Sequence, residues 1–408
     1  MEHRPQRGGT DSASDEHLFD RHTEILPQLR YAHVTPVLTM CCMRKMRQKA
    51  YALGVAAALM AGTLPAPVAW ATELAFRNAP DFPPSDSWIK GRHYEGKDVW
   101  FNSPPLHFKD LPGKVILIDF WEYTCINCIR TFDYLKEWDE RYRSLGLVII
   151  GVHAPEFDFA YDPQNVKRAV KRFGLKFPIV VDSDFRIWRS YGNNTWPNKF
   201  LIGPDHRILF SHSGEGNYAE FERQIRLALQ AANPKATFPP GQTIKEDRDA
   251  WSPSCGDTTQ EVYTGTARGG VGPFSHRGAQ EDGAPYVQGN WQAEPDAQRT
   301  QAPVTTNTFL GLRYHGAEIF AVLSTSDRPL RVYIEQDGRP LDQAHAQNDV
   351  HLDAQGRGYL EVGEPRMYYL ARNSDDQPHD IRLIPSAPGL AVYSFTFGNR
   401  CLARFSHL

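Results

Sequence analysis

The sequence has little cysteine, no excess of basic charge and few long apolar runs. Six cysteines in 408 residues are too sparse for a scaffold built from disulfides. Lys plus Arg number 45 and Asp plus Glu number 48, a net charge of −3 that gives no reason to expect a nucleic-acid partner. With 31 Gly and 30 Pro, the chain is neither collagen-like nor of low complexity. Hydrophobic residues make up 41%, enough for the cores of two or three domains.

The N-terminal region has the order of an export signal. A basic cluster precedes an apolar run and a small-residue site: Arg44, Lys45, Arg47 and Lys49, then 51–64, then Ala69-Trp70-Ala71. This order predicts a signal peptide over 43–71, cleaved before Thr72. A membrane anchor is the alternative, but it needs about 20 apolar residues. We interpret 1–42 as a disordered leader or a start assigned too far upstream, and we expect a soluble periplasmic or otherwise extracytoplasmic protein.

Two kinds of pattern divide the rest of the chain. Residues 75–232 alternate strand and helix signals, which predicts a mixed sheet with helices on both faces. The predicted strands are 115–120, 147–152, 177–181, 200–202 and 208–210, and the predicted helices are 126–145, 163–173 and 218–231. Prolines and a glycine mark a linker at 233–250. Short alternating runs then predict an all-β sandwich over 251–408, with strands at 309–314, 318–323, 330–335, 358–362, 367–371, 380–384 and 391–397.

The chemistry of the chain is concentrated at Cys125-Ile126-Asn127-Cys128, between a buried strand and a helix. A cysteine at a helix N-terminus meets free N–H groups and the positive end of the helix dipole, so we expect a lowered pKa for Cys125. Cys125 is then the nucleophile that forms a mixed disulfide, and Cys128 is the thiol that resolves it. A zinc site needs two further ligands that the spacing does not supply. A static structural disulfide is the other alternative.

The segment from Phe120 to Thr131, Phe-Trp-Glu-Tyr-Thr-Cys-Ile-Asn-Cys-Ile-Arg-Thr, resembles the exported thioredoxin-like domain of the DipZ family, within the wider TlpA-like group of cytochrome-c-biogenesis thioredoxins. Residues 151–157 and 191–197 are similar to further blocks of that family, and the resemblance covers about 97–230. A looser resemblance links the C-terminal part to the carbohydrate-binding-module-like sandwich of DipZ proteins. Typical DipZ proteins also carry a membrane domain that delivers electrons, so we expect a separate membrane electron-transfer partner if the protein acts as a reductant.

The resemblance implies roles for further residues around the dithiol. Pro197 matches the cis-proline that faces the cysteine pair, and Trp196 would offer its backbone to an extended substrate segment. Asp119 matches the buried acid behind the second cysteine, with a raised pKa and a role as proton acceptor for Cys128. A partly solvated Asp is the alternative. Trp121 would pack beside the dithiol or serve only the core.

Several weaker candidates lie near the dithiol or in the β region. Glu156 and His153 follow a strand at the active-site edge, where either could tune Cys125 or shuttle a proton. Glu122 is expected to be solvated. Cys255 and Cys401 are candidates for a structural disulfide near the two ends of the sandwich. The aromatic residues Trp291, Tyr286 and Tyr314 could form a sugar-binding platform or fill the core.

Three functions are therefore weighed. The first is an exported thiol–disulfide oxidoreductase that exchanges disulfides with cysteine pairs of other exported proteins, including apo-cytochromes. The second is a glycan- or protein-binding module with an accessory redox domain. The third is a thiol peroxidase, although the adjacent Cys128 argues against it. No cofactor or metal is predicted, and the Ile-Asn pair does not set the direction of electron flow.

Overall fold

A computed structural model describes residues 77–83, 100–240, 258–275 and 280–398. The first folded part contains β1 (Trp100–Phe101), β2 (Val115–Trp121), α1 (Ile126–Tyr142), β3 (Leu147–His153), α2 (Pro163–Phe173), β4 (Ile179–Val181), α3 (Arg186–Ser190), β5 (Asn198–Ile202), β6 (Ile208–Ser213) and α4 (Tyr218–Ala232). The strands form one sheet in the order β1-β4-β3-β2-β5-β6. β2, β3 and β4 are parallel, and the other pairings are antiparallel. The predicted mixed sheet is confirmed.

Strand β2 is buried along its whole length because both faces of the sheet are covered. Successive side chains of a strand point to opposite faces. Accordingly, Val115 and Leu117 belong to one apolar cluster, whereas Ile116, Ile118 and Phe120 belong to another. Helices α1, α2 and α4 supply the first cluster, and α3 with the N-terminal segment supplies the second. This double burial explains why the strand reads as a continuous apolar run.

Local sequence signals set the helix ends. Asp162 accepts a hydrogen bond from the backbone N–H of Gln164 (2.8 Å), and Pro163 occupies the first turn of α2. Gly174 ends that helix in the left-handed conformation. The helix predicted over 126–145 is α-helical to Tyr142 and continues as a 3₁₀ turn over Arg143–Leu145. The short α3 was not predicted, since five residues carry too little periodicity.

The second folded part is all β. Its strands are β7 (Val262–Tyr263), β8 (Gly272–Pro273), β9 (Tyr286–Gln288), β10 (Trp291–Ala293), β11 (Gln298–Thr300), β12 (Phe309–His315), β13 (Glu318–Thr325), β14 (Leu330–Gln336), β15 (Arg339–Pro340), β16 (Val350–Leu352), β17 (Gly358–Val362), β18 (Arg366–Arg372), β19 (Pro378–Pro385) and β20 (Leu390–Gly398). One sheet has the order β10-β11-β20-β13-β18, with β7 on β20. The other has the order β16-β17-β14-β19-β12-β9-β8, with β15 on β14.

A single apolar cluster fills the space between these two sheets, with members such as Leu323 from the first and Leu383 from the second. The predicted β-sandwich is therefore confirmed. Asp337 and Gly338 both have positive φ (53° and 74°), as the tight hairpin between β14 and β15 requires. The leader at 1–42, the signal peptide at 43–71 and most of the linker at 233–250 lie outside the described residues and stay predictions.

Candidate functional site

The two cysteines lie where β2 gives way to α1. Cys125 is the N-cap residue of α1, and its Sγ accepts a hydrogen bond from the backbone N–H of Cys128 (3.3 Å). The two Sγ atoms are 2.6 Å apart, and both cysteines are free. Cys128 is fully buried, while Cys125 is half-buried. A partly accessible first thiol and a buried second thiol suit attack followed by resolution.

The thiol pKa values differ from the expectation drawn from the helix N-terminus. Burial raises the pKa of Cys125, although hydrogen bonds from Cys128 lower it. Burial also raises the pKa of Cys128 well above its ordinary value, and the hydrogen bond to Cys125 adds to the rise. The predicted lowering for Cys125 is wrong in direction, because removal of water from the thiolate outweighs the helix terminus. Both thiols therefore need a proton acceptor nearby.

Asp119 is the buried carboxyl beneath this site. It is fully buried in the middle of β2, and the Lys199 ammonium lies 3.6 Å from its Oδ1. Strand pairing sets this contact, since Asp119 and Lys199 are directly opposite each other on β2 and β5. Burial raises the pKa of Asp119 to about 6, and Lys199 opposes the rise. The alternative of a partly solvated Asp does not hold. The charge of Asp119 also raises the pKa of Cys128.

Pro197 and Trp196 precede β5 at the same end of the sheet as the dithiol. The Trp196–Pro197 peptide bond is cis. Asn198 pairs with Phe120, so the proline lies beside the end of β2 that leads to Cys125. Trp196 and Cys125 both pack against the apolar cluster that contains Cys128. The geometry thus brings the proline segment and the cysteine pair to one edge of the sheet.

Trp121, His153 and Glu122 form a buried group beside the dithiol. Trp121 and His153 are paired on β2 and β3, with their rings edge to face at 5.0 Å. Glu122 is fully buried, so its predicted solvation is wrong. Its Oε2 accepts a hydrogen bond from the backbone N–H of Thr124 (2.6 Å), and its Oε1 lies 3.6 Å from Nε2 of His153. The aromatic rings packed around this turn exclude water from the Glu122 carboxylate.

The Glu156 side chain, in the first folded part, forms hydrogen bonds with residues of the β-sandwich. Its side chain is 8% exposed, and its Oε1 accepts hydrogen bonds from Tyr263 Oη and Arg268 Nη1, both at 2.7 Å. Burial raises the pKa of Glu156, and Arg268 opposes the rise. The charge of Glu156 raises the pKa of Cys125. Sequence reasoning missed both β-domain partners, because they lie more than 100 positions away without a local motif.

The remaining candidates lie away from this site or outside the described residues. Cys255 and Cys401, the predicted disulfide pair, lie outside the described ranges. Tyr286 and Tyr314 are buried, so the sugar platform that included them is wrong. Trp291 is half-buried and packs against the sandwich core. In the part of the chain that the structure describes, no group of three or more His, Cys, Asp or Glu side chains could hold a metal ion.

The longest helix in the described ranges is α1, with 17 residues. None of the helices found there combines the length and the apolar character that crossing a bilayer requires.

A six-stranded mixed sheet covered by helices, with a Cys-x-x-Cys dithiol at a strand–helix turn, defines a thioredoxin-like protein. The Redoxin family model matches residues 101–225, and the model for the thioredoxin-like C-terminal domain matches 257–398. Thiol-disulfide oxidoreductase ResA of Bacillus anthracis is 31% identical over 150 residues, which cover 37% of this chain and 76% of ResA. The chain belongs to the thioredoxin-like thiol-disulfide oxidoreductase family.

The similarity to Protein DipZ extends across both folded parts. The Mycobacterium tuberculosis protein is 28% identical over 322 residues, or 74% of this chain. The match spans only 42% of the length of DipZ. A thioredoxin-family thiol:disulfide interchange protein from Chlorobium tepidum aligns with 38% of this chain and 97% of its own, at 22% identity and a TM-score of 0.29.

Proposed function

We propose that this protein is an exported thiol-disulfide oxidoreductase that reduces disulfides in other exported proteins. The observation that carries the proposal is the Cys125–Cys128 dithiol at the N-terminus of α1, with Sγ atoms 2.6 Å apart. Cys125 attacks a substrate disulfide and forms a mixed disulfide, and Cys128 then displaces the substrate as a dithiol. The two electrons pass from the cysteine pair to the substrate.

The residues around the dithiol have complementary roles in this proposal. Asp119 takes up the proton of Cys128 during resolution, a role supported by its complete burial and its pKa of about 6. Trp196 and Pro197 form the substrate cleft, where an extended segment would pair with the Trp196 backbone. Trp121 supports the dithiol through its packing in the same cluster as Cys128.

The thiol chemistry supports the reducing direction. A strongly oxidising dithiol owes its high potential to a stabilised reduced form, commonly a thiolate of low pKa. Burial raises the pKa of both Cys125 and Cys128, which removes that stabilisation. A reductant needs a supply of electrons, for which a separate membrane partner is proposed. Cysteine pairs of apo-cytochromes are one proposed class of substrate, which would place the protein in cytochrome c biogenesis.

A trapping experiment tests the exchange mechanism. In a Cys128→Ser variant the mixed disulfide cannot be resolved, so adducts with exported proteins accumulate on Cys125. They are detected by non-reducing electrophoresis and mass spectrometry. Cys125→Ser is the matched control, which loses the nucleophile and forms no adduct at this site. If Cys128→Ser also forms no adduct, the exchange mechanism is wrong.

The reduction potential tests the direction. We expect a value close to that of thioredoxin, about −270 mV, in equilibration with glutathione or dithiothreitol. A value close to that of the strong oxidant DsbA, about −120 mV, would contradict the reducing role and leave the exchange mechanism intact.

A further inference from the structure

The β-sandwich packs directly against the loop that follows β3. Phe157 and Phe159 of that loop contact Tyr393 of β20, with ring centroids 5.4 and 4.8 Å apart. Val322 of β13 belongs to the same buried cluster as Phe157. The backbone N–H of Ala154, where the loop begins, donates a hydrogen bond to the carbonyl of Trp121 (3.1 Å). The loop therefore lies beside the turn that carries Cys125.

A second contact holds the sandwich against α1. Arg130, five positions after Cys125, forms an ion pair with Glu318 of β13 at 3.0 Å and with Glu215 at 3.2 Å. Its guanidinium also lies over the ring of Phe320, 5.4 Å from the centroid. The sandwich thus contacts the first folded part, which we call the redox domain (residues 100–232), through the loop after β3 and through the first turns of α1.

Strand register places Glu261 on the face of the β7-β20-β13 sheet that contacts the redox domain. Tyr263 pairs with Ser394 and Val262 with Phe395, so Glu261 comes next to Thr396. The Thr396 hydroxyl donates a hydrogen bond to Oε1 of Glu261 at 3.2 Å. Thr396 in turn pairs with Phe320, whose ring meets Arg130. Glu261 therefore shares a face of the sheet with the residues that meet the redox domain.

Tyr263 lies between two carboxyl groups from different domains. Its hydroxyl donates to Glu156, and it also interacts with Glu261. Part of the Glu261 side chain is open to water, but the surrounding protein takes enough water away to raise its pKa to about 7, and the charge of Glu156 adds to the rise. Both carboxylates raise the pKa of Cys125.

We propose that Glu261 of the β-sandwich completes the redox site: with Glu156 it forms a carboxyl pair whose negative charge opposes ionisation of the Cys125 thiol, in addition to the effect of burial. The inference rests on the proposed exchange activity. Glu156 and Glu261 act here as positioning residues, since their charge acts through Cys125. The Cys125 thiol loses its proton, the thiolate bonds to one sulfur of the substrate disulfide, and the departing substrate thiolate takes up a proton.

Other groups around the pair contribute to its charge balance. Those that act on Glu156, Glu261 or Cys125 from the neighbouring elements are Glu122, Cys128, Tyr263 and Arg268. Arg268 is the cation among these four: its guanidinium lies over the Tyr263 ring, 4.0 Å from the centroid, and its Nη1 donates a hydrogen bond to Oε1 of Glu156 at 2.7 Å. Its charge favours the ionised form of both carboxyls.

The pH dependence of Cys125 alkylation tests the inference on the full reduced chain. Iodoacetamide reacts with the thiolate, and fragmentation of the peptide that contains both Cys125 and Cys128 in tandem mass spectrometry assigns the modified sulfur to Cys125. In the wild type we expect a midpoint above the ordinary value for a thiol, because burial and the negative carboxyl pair both disfavour the Cys125 thiolate. In Glu261→Gln the midpoint should move to lower pH by about half a pH unit, roughly a threefold rise in thiolate below the midpoint.

Two further variants sharpen the test. Glu156→Gln removes the partner carboxyl from the redox domain and should move the midpoint in the same direction. Glu361→Gln, an exposed carboxyl on the other sheet of the sandwich, is the matched control and should leave the curve unchanged. Circular dichroism checks that each variant is folded.

The outcomes separate this inference from the proposed function. A folded Glu261→Gln variant with the wild-type midpoint overturns the inference, even if it still exchanges disulfides. If that variant does not fold, the Glu156→Gln variant decides, because an unchanged midpoint in that variant also overturns the inference. Loss of exchange in the wild type would instead overturn the proposed function.

Discussion

Replacement of Asp119 by Asn should reduce the change of the unfolding free energy with pH between pH 3.8 and about 6. Asp119 is fully buried, and burial raises its pKa from the ordinary value of 3.8 to about 6. Between these two values the native state binds more protons than the unfolded state, so the free energy of unfolding falls as pH rises. Below 3.8 the group makes no difference, and above about 6 the full penalty is present.

The magnitude follows from the two pKa values. A difference between 3.8 and about 6 corresponds to about 3 kcal/mol of lost stability at neutral pH. The Asn variant lacks this penalty, but it leaves the Lys199 ammonium buried without its anion 3.6 Å away. An unpaired buried charge costs about 3–5 kcal/mol, so the single variant should be no more stable at neutral pH. The double variant Asp119→Asn/Lys199→Met removes both charges and should be more stable than either single variant.

The assay is urea unfolding at a series of pH values from 4 to 8, followed by tryptophan fluorescence with the protein fully reduced. Asp133→Asn, an exposed carboxyl on α1, is the matched control and should keep the wild-type slope. If the double variant loses stability between pH 4 and pH 6 as steeply as the wild type, the raised pKa of Asp119 is refuted.

Two further substitutions test the packing around the site. Gly151→Ala should destabilise the protein by about 1–3 kcal/mol, because the new Cβ would lie 2.6 Å from Cδ1 of Ile179 and 2.9 Å from Nε1 of Trp121. Arg130→Met should cost about 1–3 kcal/mol, because the Glu318 side chain, 5% exposed, would lose its cation. Both are measured by urea unfolding.

Each of these two substitutions has a control in the same chain. Gly270→Ala places its Cβ in open space and should change stability little. Arg223→Met breaks an exposed pair with Glu220 on α4 and should change stability little, because water screens both charges. An Arg130→Met effect no larger than that of Arg223→Met would contradict the role of Arg130 in joining the two domains.

Much of the fold could be predicted because its signals are local. Continuous apolar runs identified β2 and β3, and a helical pattern with Lys and Arg on the outer face identified α2, each within one position, since burial leaves a direct mark on the sequence. In the structure, Asp162 and Gly174 cap the two ends of α2, and both act on the adjacent backbone. Strands of two or three residues, such as β1 and β7, carry too few positions for a period to be recognised.

The position of the dithiol could be predicted from local residues, because the turn from β2 into α1 is built from neighbours in the chain. Its electrostatic surroundings could not be predicted, because they depend on residues that are brought together only when the chain folds. Lys199 meets Asp119 through strand pairing, Glu122 is buried by packed rings, and Glu156 is held by Tyr263 and Arg268 of the other domain. Segments distant in the chain exclude water from Cys125 and so raise its pKa. The prediction of a lowered pKa was therefore wrong, because it considered only the N-terminus of the helix.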